Sequence, residues 1–203
     1  MAHWVTDQAS RRPSEGAEEK AVNLLASRSQ LRASFFRWAL FCVPLIVLLG
    51  FLGGKMGSPD TLWFQSLTKP AIFPPPAAFG IAWSILYVMI GVALALVISA
   101  WGAYGRGFAV IAFSVHFVFN LAWTAVFFGL QNMEGGLVVL GLGVVTILPV
   151  LWAFYRVRPV AAFLMVPYFG WLCFASVLNY QFIVENPSGG DRTQPEAAVE
   201  VVL

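Results

Sequence analysis

Residues 67–91 read LTKPAIFPPPAAFGIAWSILYVMIG, and this stretch decides how the rest of the chain folds. Its first part holds Lys69-Pro70 and the proline triplet 74–76. Proline fixes φ at about −65° and has no N–H to donate, so this part is predicted to be a stiff extended loop. From about Phe79 the prolines stop and an uncharged apolar segment begins. In that segment a helical spacing places four residues on one face: Trp83, Tyr87, Gly91 and Leu94.

Two interpretations of this stretch stay open at the level of the residues. A rigid proline loop that leads into an aromatic helix face is typical of a lid over a pocket. Alternatively, the prolines only cap a transmembrane helix, and the aromatic residues sit at the lipid interface, where Trp and Tyr are enriched.

The composition excludes an ordinary soluble domain. Hydrophobic residues make up 59% of the chain and charged residues 11%, and the mean hydropathy is +0.77. A helix crosses a bilayer core with about 20 apolar residues. Five uncharged runs reach that length, the first of them with Phe36 and a snorkelling Arg37 added: residues 38–54, 70–105, 107–133, 135–155 and 159–184. Backbone groups in lipid must be paired within the segment. The sequence therefore predicts an all-α membrane protein, a bundle of five transmembrane helices.

The charged residues divide the chain into three parts. We expect a polar N-terminal extension over residues 1–35, a transmembrane domain over 36–185 whose first loop, 55–78, acts as a lid, and a polar tail over 186–203. Residues 21–36 fit a short basic amphipathic helix on anionic lipid, and disorder before Leu31 fits equally well. No early apolar stretch indicates a cleaved signal peptide, so the first span is predicted to be an uncleaved anchor. The fifth helix is predicted to open at Pro167-Tyr168.

Lys and Arg are distributed unevenly between the two sides of the predicted bundle. Nine lie on the side of the N-terminus and three on the other side, namely Lys55, Lys69 and Arg192. For a protein inserted as in a bacterial cell membrane, the positive-inside rule therefore predicts a cytoplasmic N-terminus, with the proline loop and the C-terminus outside.

Several functional classes find no support in the residues. No Asp or Glu lies within a predicted span, which argues against proton-coupled transport. No catalytic triad, metal-binding cluster or phosphate-binding loop is present. No basic stripe with interleaved aromatics indicates nucleic acid. Cys42 and Cys173 fall inside spans, where a thiol is a small apolar side chain.

The third predicted span carries the most informative polar residues. His116, Asn120, Trp123 and Phe127 share one helical face. An Asn in lipid must bond a partner or face a cavity, so Asn120 either joins helices or lines a pocket. His116 alone is compatible with a haem ligand, but a lone membrane histidine is more often part of a hydrogen-bonded structure.

Together, the predicted spans offer an aromatic interior with one amide and one imidazole. Such an interior suits a large, flat, apolar ligand with few polar groups, such as a porphyrin or a sterol, which Asn120 would orient. The aromatic residues assigned to the interior are Trp83, Tyr87, Trp123, Phe127, Trp152 and Trp171. On the fifth span, Asn179 is expected to face the membrane interface.

Three separated motifs resemble the TspO family, which comprises the tryptophan-rich sensory proteins of bacteria and the mitochondrial translocator (peripheral benzodiazepine receptor) proteins. The first is the pattern WF..L.KP...PP......W..LY.MIG over residues 63–91. The others are FNLAWTAVFFG over 119–129 and PYFGWLCFASVLNY over 167–180. The resemblance covers residues 36–184.

This resemblance implies a five-helix bundle, usually a homodimer, with a pocket beneath the first loop. It also implies binding of porphyrins such as protoporphyrin IX and haem, of sterols and of benzodiazepine-type ligands, in tetrapyrrole handling or stress signalling. Porphyrin or haem is then a ligand rather than an obligatory cofactor, and no metal is required. Membrane lipid is the other expected partner of the protein. By position, seven residues match the family's pocket: Trp83, Tyr87, Asn120, Trp123, Trp171, Ala175 and Leu178. The proline loop and the helical faces add four candidates: Pro74, Pro75, His116 and Phe127.

Two other functions are implied by the same resemblance. One is enzymatic, a light- or oxygen-dependent breakdown of bound porphyrin with Trp83 and Trp171 as redox-active side chains. The other is passive translocation of porphyrins or lipids.

The chain departs from the family pattern in three places. Ile72 and Ala77 stand where aromatic residues are usual, so the lid is expected to offer less stacking surface. His116 replaces a glutamine. Residues 181–185 contain no Lys or Arg, so the proposed cholesterol motif is incomplete.

Overall fold

The computed structural model describes residues 28–57 and 59–189 of the chain. Within these residues there are α-helices and no strand, and five helices are long and apolar enough to cross a membrane. The helices are α1 (Arg28–Gly54), α2 (Leu62–Ser66), α3 (Pro76–Ile98), α4 (Arg106–Thr124), α5 (Met133–Val157) and α6 (Pro159–Glu185). A π-helical turn, Ala125–Gly129, extends α4. The predicted five-helix membrane bundle is confirmed, whereas most of the polar extension and tail lies outside the described residues.

Two predicted helix starts are wrong. The first transmembrane helix begins at Arg28, so the described part of the segment 21–36 is the first two turns of α1 rather than a separate element. The last helix begins at Pro159, and Pro167 lies inside it. Proline is well tolerated at the first helical position, because its missing N–H would have no partner there. Pro159 is therefore the start signal of α6, and Pro76 opens α3 in the same way.

The five long helices pack side by side around a closed ring. The order around the ring is α1, α3, α6, α5 and α4, and α4 returns to contact α1. Short connections make α4, α5 and α6 antiparallel neighbours, as expected. The main partners of α3 are instead α1 and α6, and it contacts α4 only lightly.

Glycines allow α1 and α3 to approach closely. A Cβ atom on Gly91 would lie 2.7 Å from Val43 Cα, and one on Gly50 would overlap the ring of Tyr87. Small residues at such crossings are typical of membrane helix pairs, which gain stability from close backbone packing. Gly54, one turn after Gly50 on α1, makes no such contact, since a Cβ there would meet nothing within 4 Å.

The outer surface of the bundle is apolar, as a lipid-facing surface must be. Leu40 is 81% exposed, and many Val, Ile and Phe side chains point outward beside it. Trp152 also lies outside, with 59% of its surface exposed, so its assignment to the interior is wrong. Its ring contacts Phe108 on α4 and the guanidinium of Arg156, near one end of the bundle, where tryptophan is typical of the lipid interface.

Candidate ligand cavity

A cavity of about 550 Å³ lies inside one end of the bundle. Its walls come from α3, α4, α5 and α6, and the loop that contains α2 covers it. Ligand pockets in proteins typically measure about 300–1,000 Å³ and are mostly apolar. Ten aromatic side chains line this one: Phe64, Phe73, Phe79, Trp83, Phe119, Trp123, Phe127, Phe128, Trp171 and Phe182.

The structure brings most of the predicted site residues to this cavity. Those that line it are Trp83, Asn120, Trp123, Phe127, Trp171, Ala175 and Leu178. Four others do not line it: Pro74, Pro75, Tyr87 and His116. Pro74 and Pro75 belong to the covering loop, but only the third proline of the triplet, Pro76, reaches the wall. Tyr87 and His116 lie behind the wall.

Tyr87 supports the cavity wall from behind. Its ring stacks on Trp83 at a centroid distance of 5.0 Å and packs against Gly50 of α1. Its hydroxyl points along the bundle and donates a hydrogen bond to Asn120 Oδ1 at 3.5 Å. Tyr87 therefore orients two residues that do face the cavity.

A buried hydrogen-bonded chain closes the floor of the cavity. Asn120 Nδ2 donates to Tyr168 Oη at 3.0 Å, and Tyr168 Oη lies 3.0 Å from His116 Nε2. On the other side of the imidazole ring, His116 Nδ1 lies 3.0 Å from Thr146 Oγ1, which donates to Leu142 O. Because the tyrosine and threonine hydroxyls each donate one hydrogen, this arrangement requires a proton on Nδ1 and a lone pair on Nε2. The chain then runs in one direction from Tyr87 to Leu142.

This chain shows what His116 does in the bundle. Its side chain is fully buried, and both ring nitrogens already have partners on neighbouring helices. The geometry matches the hydrogen-bonded interpretation of His116 and leaves no free ring nitrogen for haem iron. Asn120 bonds a neighbouring helix and also lines the cavity, so it has both of the roles that were proposed as alternatives.

A second amide reaches the cavity from α6. Asn179 is 2% exposed, accepts a hydrogen bond from Trp123 Nε1 at 3.2 Å and donates to Met133 O at 2.8 Å. The expectation that Asn179 faces the membrane interface is therefore wrong. Gly136 leaves room for this side chain, since a Cβ there would lie 2.9 Å from Asn179 Oδ1. This contact fixes the indole of Trp123 in the wall.

Aromatic residues of the covering loop were missed by the sequence reasoning. Phe64 is buried and its ring contacts Phe127 and Phe182, while Phe73 contacts Phe79 and Phe182. Ile72, in contrast, is exposed. The lid thus carries stacking surface at Phe64 and Phe73, whereas the expectation of less surface than is usual in the family stays a prediction. For Phe79, on α3, the sequence did contain a signal, because it lies one helical turn before Trp83 and shares the face that was assigned to the pocket.

The covering loop is fastened to the end of α6. Thr68 N donates to Asn186 Oδ1 at 2.8 Å, and Asn186 Nδ2 donates back to Thr68 O at 3.0 Å. Trp63 Nε1 adds a bond to Gly189 O at 3.0 Å. The two-way amide pair satisfies a donor and an acceptor of the loop backbone at once, which holds the loop over the cavity.

Two charged residues lie at the rim of the cavity, Lys69 and Asp60. Lys69 Nζ donates to Phe64 O and to Leu67 O, and it sits 4.0 Å from the centre of the Phe64 ring. Partial burial lowers the pKa of the Lys69 ammonium below its usual 10.5. The rim therefore presents a cation, held by the lid, to any ligand in the cavity.

The π-helical turn shapes the wall between the cavity and the loop. Leu130 N donates to Ala125 O at 2.8 Å, which adds a residue to the last turn of α4. A Cβ on Gly129 would lie 2.7 Å from Met56 O, so the first loop passes directly against this turn. Such π-turns are frequent at functional sites, and this one places Phe127 and Phe128 under the lid.

The comparisons with known proteins agree with this architecture. The sequence profile of the TspO/MBR family matches residues 42–184. The chain is 36% identical to the tryptophan-rich protein TspO of Chlorobaculum tepidum, over 72% of this chain and 94% of that protein. It is 32% identical to the TspO protein of Archaeoglobus fulgidus, over 70% of this chain and 92% of that protein. It is also 34% identical to the translocator protein of Sus scrofa, over 73% and 96% of the two chains. With a family profile that spans most of the chain and relatives covered almost end to end, this multi-pass membrane protein belongs to the TspO/MBR family.

Proposed function

We propose that this protein is a membrane receptor that binds porphyrins, such as protoporphyrin IX and haem, and related flat apolar ligands such as sterols. The observation that carries the proposal is the covered, aromatic-lined cavity of about 550 Å³. Because lipid is itself apolar, a hydrophobic ligand would bind more favourably in the cavity than in the bilayer only if the cavity matches its shape and stacks on its rings. The ring faces of the walls and lid supply both.

The cavity contains the groups that such a ligand requires. Trp171 contacts Trp83 and Phe79 edge-on, at centroid distances of 6.2 and 5.8 Å, and these rings form a corner for a flat molecule. Asn120 is the polar group at the floor, and Lys69 is the cation at the rim. A porphyrin has an apolar ring system and two carboxylates at one edge, so the ring would enter first and the carboxylates would face Lys69.

A fluorescence titration tests the proposal. Protoporphyrin IX is added to the purified protein, and the quenching of tryptophan emission is followed. We expect saturable quenching with one site per chain, because Trp83, Trp123 and Trp171 line the cavity. Replacing the outward-facing Trp101 and Trp152 by Phe should leave the affinity unchanged. Quenching that rises linearly, as it does for free tryptophan in the same detergent, would refute the proposal.

One contact favours a second candidate, the oxidative breakdown of bound porphyrin. Trp83 and Trp171 meet at the cavity wall, where a tryptophan pair would be positioned to exchange electrons with an excited porphyrin. Illuminated samples in air would then lose porphyrin absorbance faster with protein than without it. If the rate is the same in the Trp83→Phe/Trp171→Phe variant, these side chains have no redox role and the receptor function stands alone.

The role in the cell follows from the ligand. Binding of a photoreactive tetrapyrrole would serve tetrapyrrole handling or stress signalling, and extraction of what co-purifies from the native membrane would identify the ligand. The homodimer and the bacterial cell membrane stay predictions; light scattering in detergent and membrane fractionation test them.

A further inference from the structure

A second concave site lies at the opposite end of the bundle from the cavity. It is a groove of about 240 Å³ between the first turns of α1 and α6, above the end of α3. We call it the arginine groove. The less exposed lining residues, which form its base, are Phe35, Leu96 and Ser99, and the exposed ones, which form its rim, are Leu31, Arg32 and Arg158.

Among the residues that the structure describes, the two arginines of this groove have no counter-ion. Within the described part of the chain, neither guanidinium group takes part in an ion pair or a hydrogen bond. The described carboxylates, Asp60, Glu134 and Glu185, all belong to the opposite end of the bundle. Arg106, at the same end as the groove, differs, because it donates to Ile98 O and stacks on Trp101. The positive charge of Arg32 and Arg158 is thus available to a ligand.

The surroundings strengthen the preference for an anion. Arg158 immediately precedes the first turn of α6, whose N–H groups carry partial positive charge and which contains no acidic residue. Both arginines are exposed and stand at the ends of membrane spans, where lipid headgroups would lie. Phe35, one turn further along α1 than Arg32, and Leu96 of α3 present apolar surface deeper in the groove. The phosphate of a phospholipid would bind the two arginines, and its acyl-glycerol region would pack on the apolar side chains deeper in the groove.

We propose that the arginine groove binds the headgroup of an anionic phospholipid from the leaflet at the N-terminal end of α1. Basic pockets between transmembrane helices recognise such headgroups elsewhere. The occupant is a lipid rather than free phosphate, because Phe35 and Leu96 give the groove an apolar base on which acyl-glycerol can pack and free phosphate cannot. This inference is independent of the porphyrin proposal, since no residue of the groove lines the cavity.

Native mass spectrometry tests this proposal. The full chain is released from detergent that contains equal amounts of dioleoyl phosphatidylglycerol and dioleoyl phosphatidylcholine, and the retained lipid is counted. We expect one phosphatidylglycerol per chain in preference to phosphatidylcholine. In the Arg32→Gln/Arg158→Gln variant the preference should fall by about fivefold for each arginine removed. The matched control, Arg37→Gln/Arg156→Gln, removes the same charge from the same end outside the groove and should keep the preference.

Three results would overturn the proposal. An equal loss in the control variant would mean that only the net charge matters. Full displacement of the lipid by inorganic phosphate would mean that the apolar base plays no part. Retention seen only after Glu15, Glu18 and Glu19 are changed to Gln would show that the acidic segment of the chain itself occupies the groove. Thermal melts of each variant confirm that the bundle is folded.

Discussion

Gly143 is the glycine that α5 contributes to the cavity wall. A Cβ there would contact only Leu172, at 3.9 Å, so a larger side chain would extend into the cavity. We predict that Gly143→Leu weakens protoporphyrin IX binding by about tenfold or more, because filling a packed site costs about 1–3 kcal/mol. The measurement is the tryptophan-quenching titration.

The matched control for this substitution is two residues away on the same helix. Gly141 faces outward, and a Cβ there meets nothing within 4 Å. Gly141→Leu therefore makes the same chemical change on the lipid side and should bind as the unchanged chain does. Equal affinities for both variants would place the ligand elsewhere.

Lys69 is the residue expected to distinguish acids from esters. If its ammonium meets a carboxylate, Lys69→Gln should weaken protoporphyrin IX binding by about tenfold, as expected for a charge-assisted hydrogen bond. Binding of the dimethyl ester should not change. Since burial lowers the pKa of Lys69, the preference for the acid should fade as the pH rises toward 10.5, before an ordinary lysine would lose its proton. A loss of the same size for both ligands would assign Lys69 to the lid alone.

His116 is predicted to matter for stability rather than for ligand binding. In His116→Leu, the fully buried Tyr168 Oη loses its acceptor, and the half-buried Thr146 Oγ1 loses a donor. An unsatisfied buried group costs about 1–3 kcal/mol, so the free energy of unfolding should fall by at least that amount. Ser114→Ala on the same helix, whose hydroxyl is exposed and bonds only Val110 O, is the control. Unfolding in mixed detergent with SDS gives both values, and an unchanged His116→Leu value would contradict the role of the chain.

At the scale of elements, a single amide, Asn186, makes two of the hydrogen bonds that fasten the lid to α6. Asn186→Ala removes both bonds to Thr68 while leaving the helices intact. We predict faster amide hydrogen exchange over residues 61–75 and faster release of bound porphyrin, because the loop would open more often. Asn132→Ala removes another amide, the N-cap that accepts from Gly135 N, and should affect only the start of α5. Exchange in the lid that is unchanged in Asn186→Ala would show that the aromatic contacts of Phe64 suffice.

The transmembrane helices were largely predictable from the sequence, but which side of each helix faces the lipid was not. Charges are excluded from lipid, so the uncharged runs gave the five spans directly. Inside a span, however, the lipid-facing side is as apolar as the core, and hydrophobic periodicity no longer separates them. Trp152 was therefore placed inside although it faces out. Asn179 was assigned to the interface because it lies near the end of the fifth span, whereas its side chain turns inward to Trp123 and Met133.

The candidate site could be predicted where polar residues or motifs marked it. Asn120 and Trp123 were found because an amide in a span needs a partner or a cavity. The roles of Tyr87 and His116 behind the wall depend on contacts between helices far apart in sequence, such as Gly50 with Tyr87 and Tyr168 with His116. No local pattern contains that information.

At the scale of the whole molecule, the two ends of the bundle differ in charge. One end holds the described arginines Arg32, Arg37, Arg106, Arg156 and Arg158, and the lid end holds Lys55 and Lys69 with all the described carboxylates. Cytoplasmic loops carry the excess of Lys and Arg. The rule therefore predicts that the lid and the cavity beneath it lie at the end of the bundle away from the cytoplasm.

This orientation is testable with two single cysteines. In a chain with Cys42→Ala and Cys173→Ala, Ser188→Cys reports the lid end and Tyr104→Cys the arginine end, where Tyr104 is 93% exposed. We predict that a membrane-impermeant maleimide labels Ser188→Cys in intact cells and labels Tyr104→Cys only after lysis. The lysed sample is the control for reactivity, since both sites must react there. The reverse pattern would mean that the lid opens to the cytoplasm, and ligands would then have to reach the cavity from inside the cell.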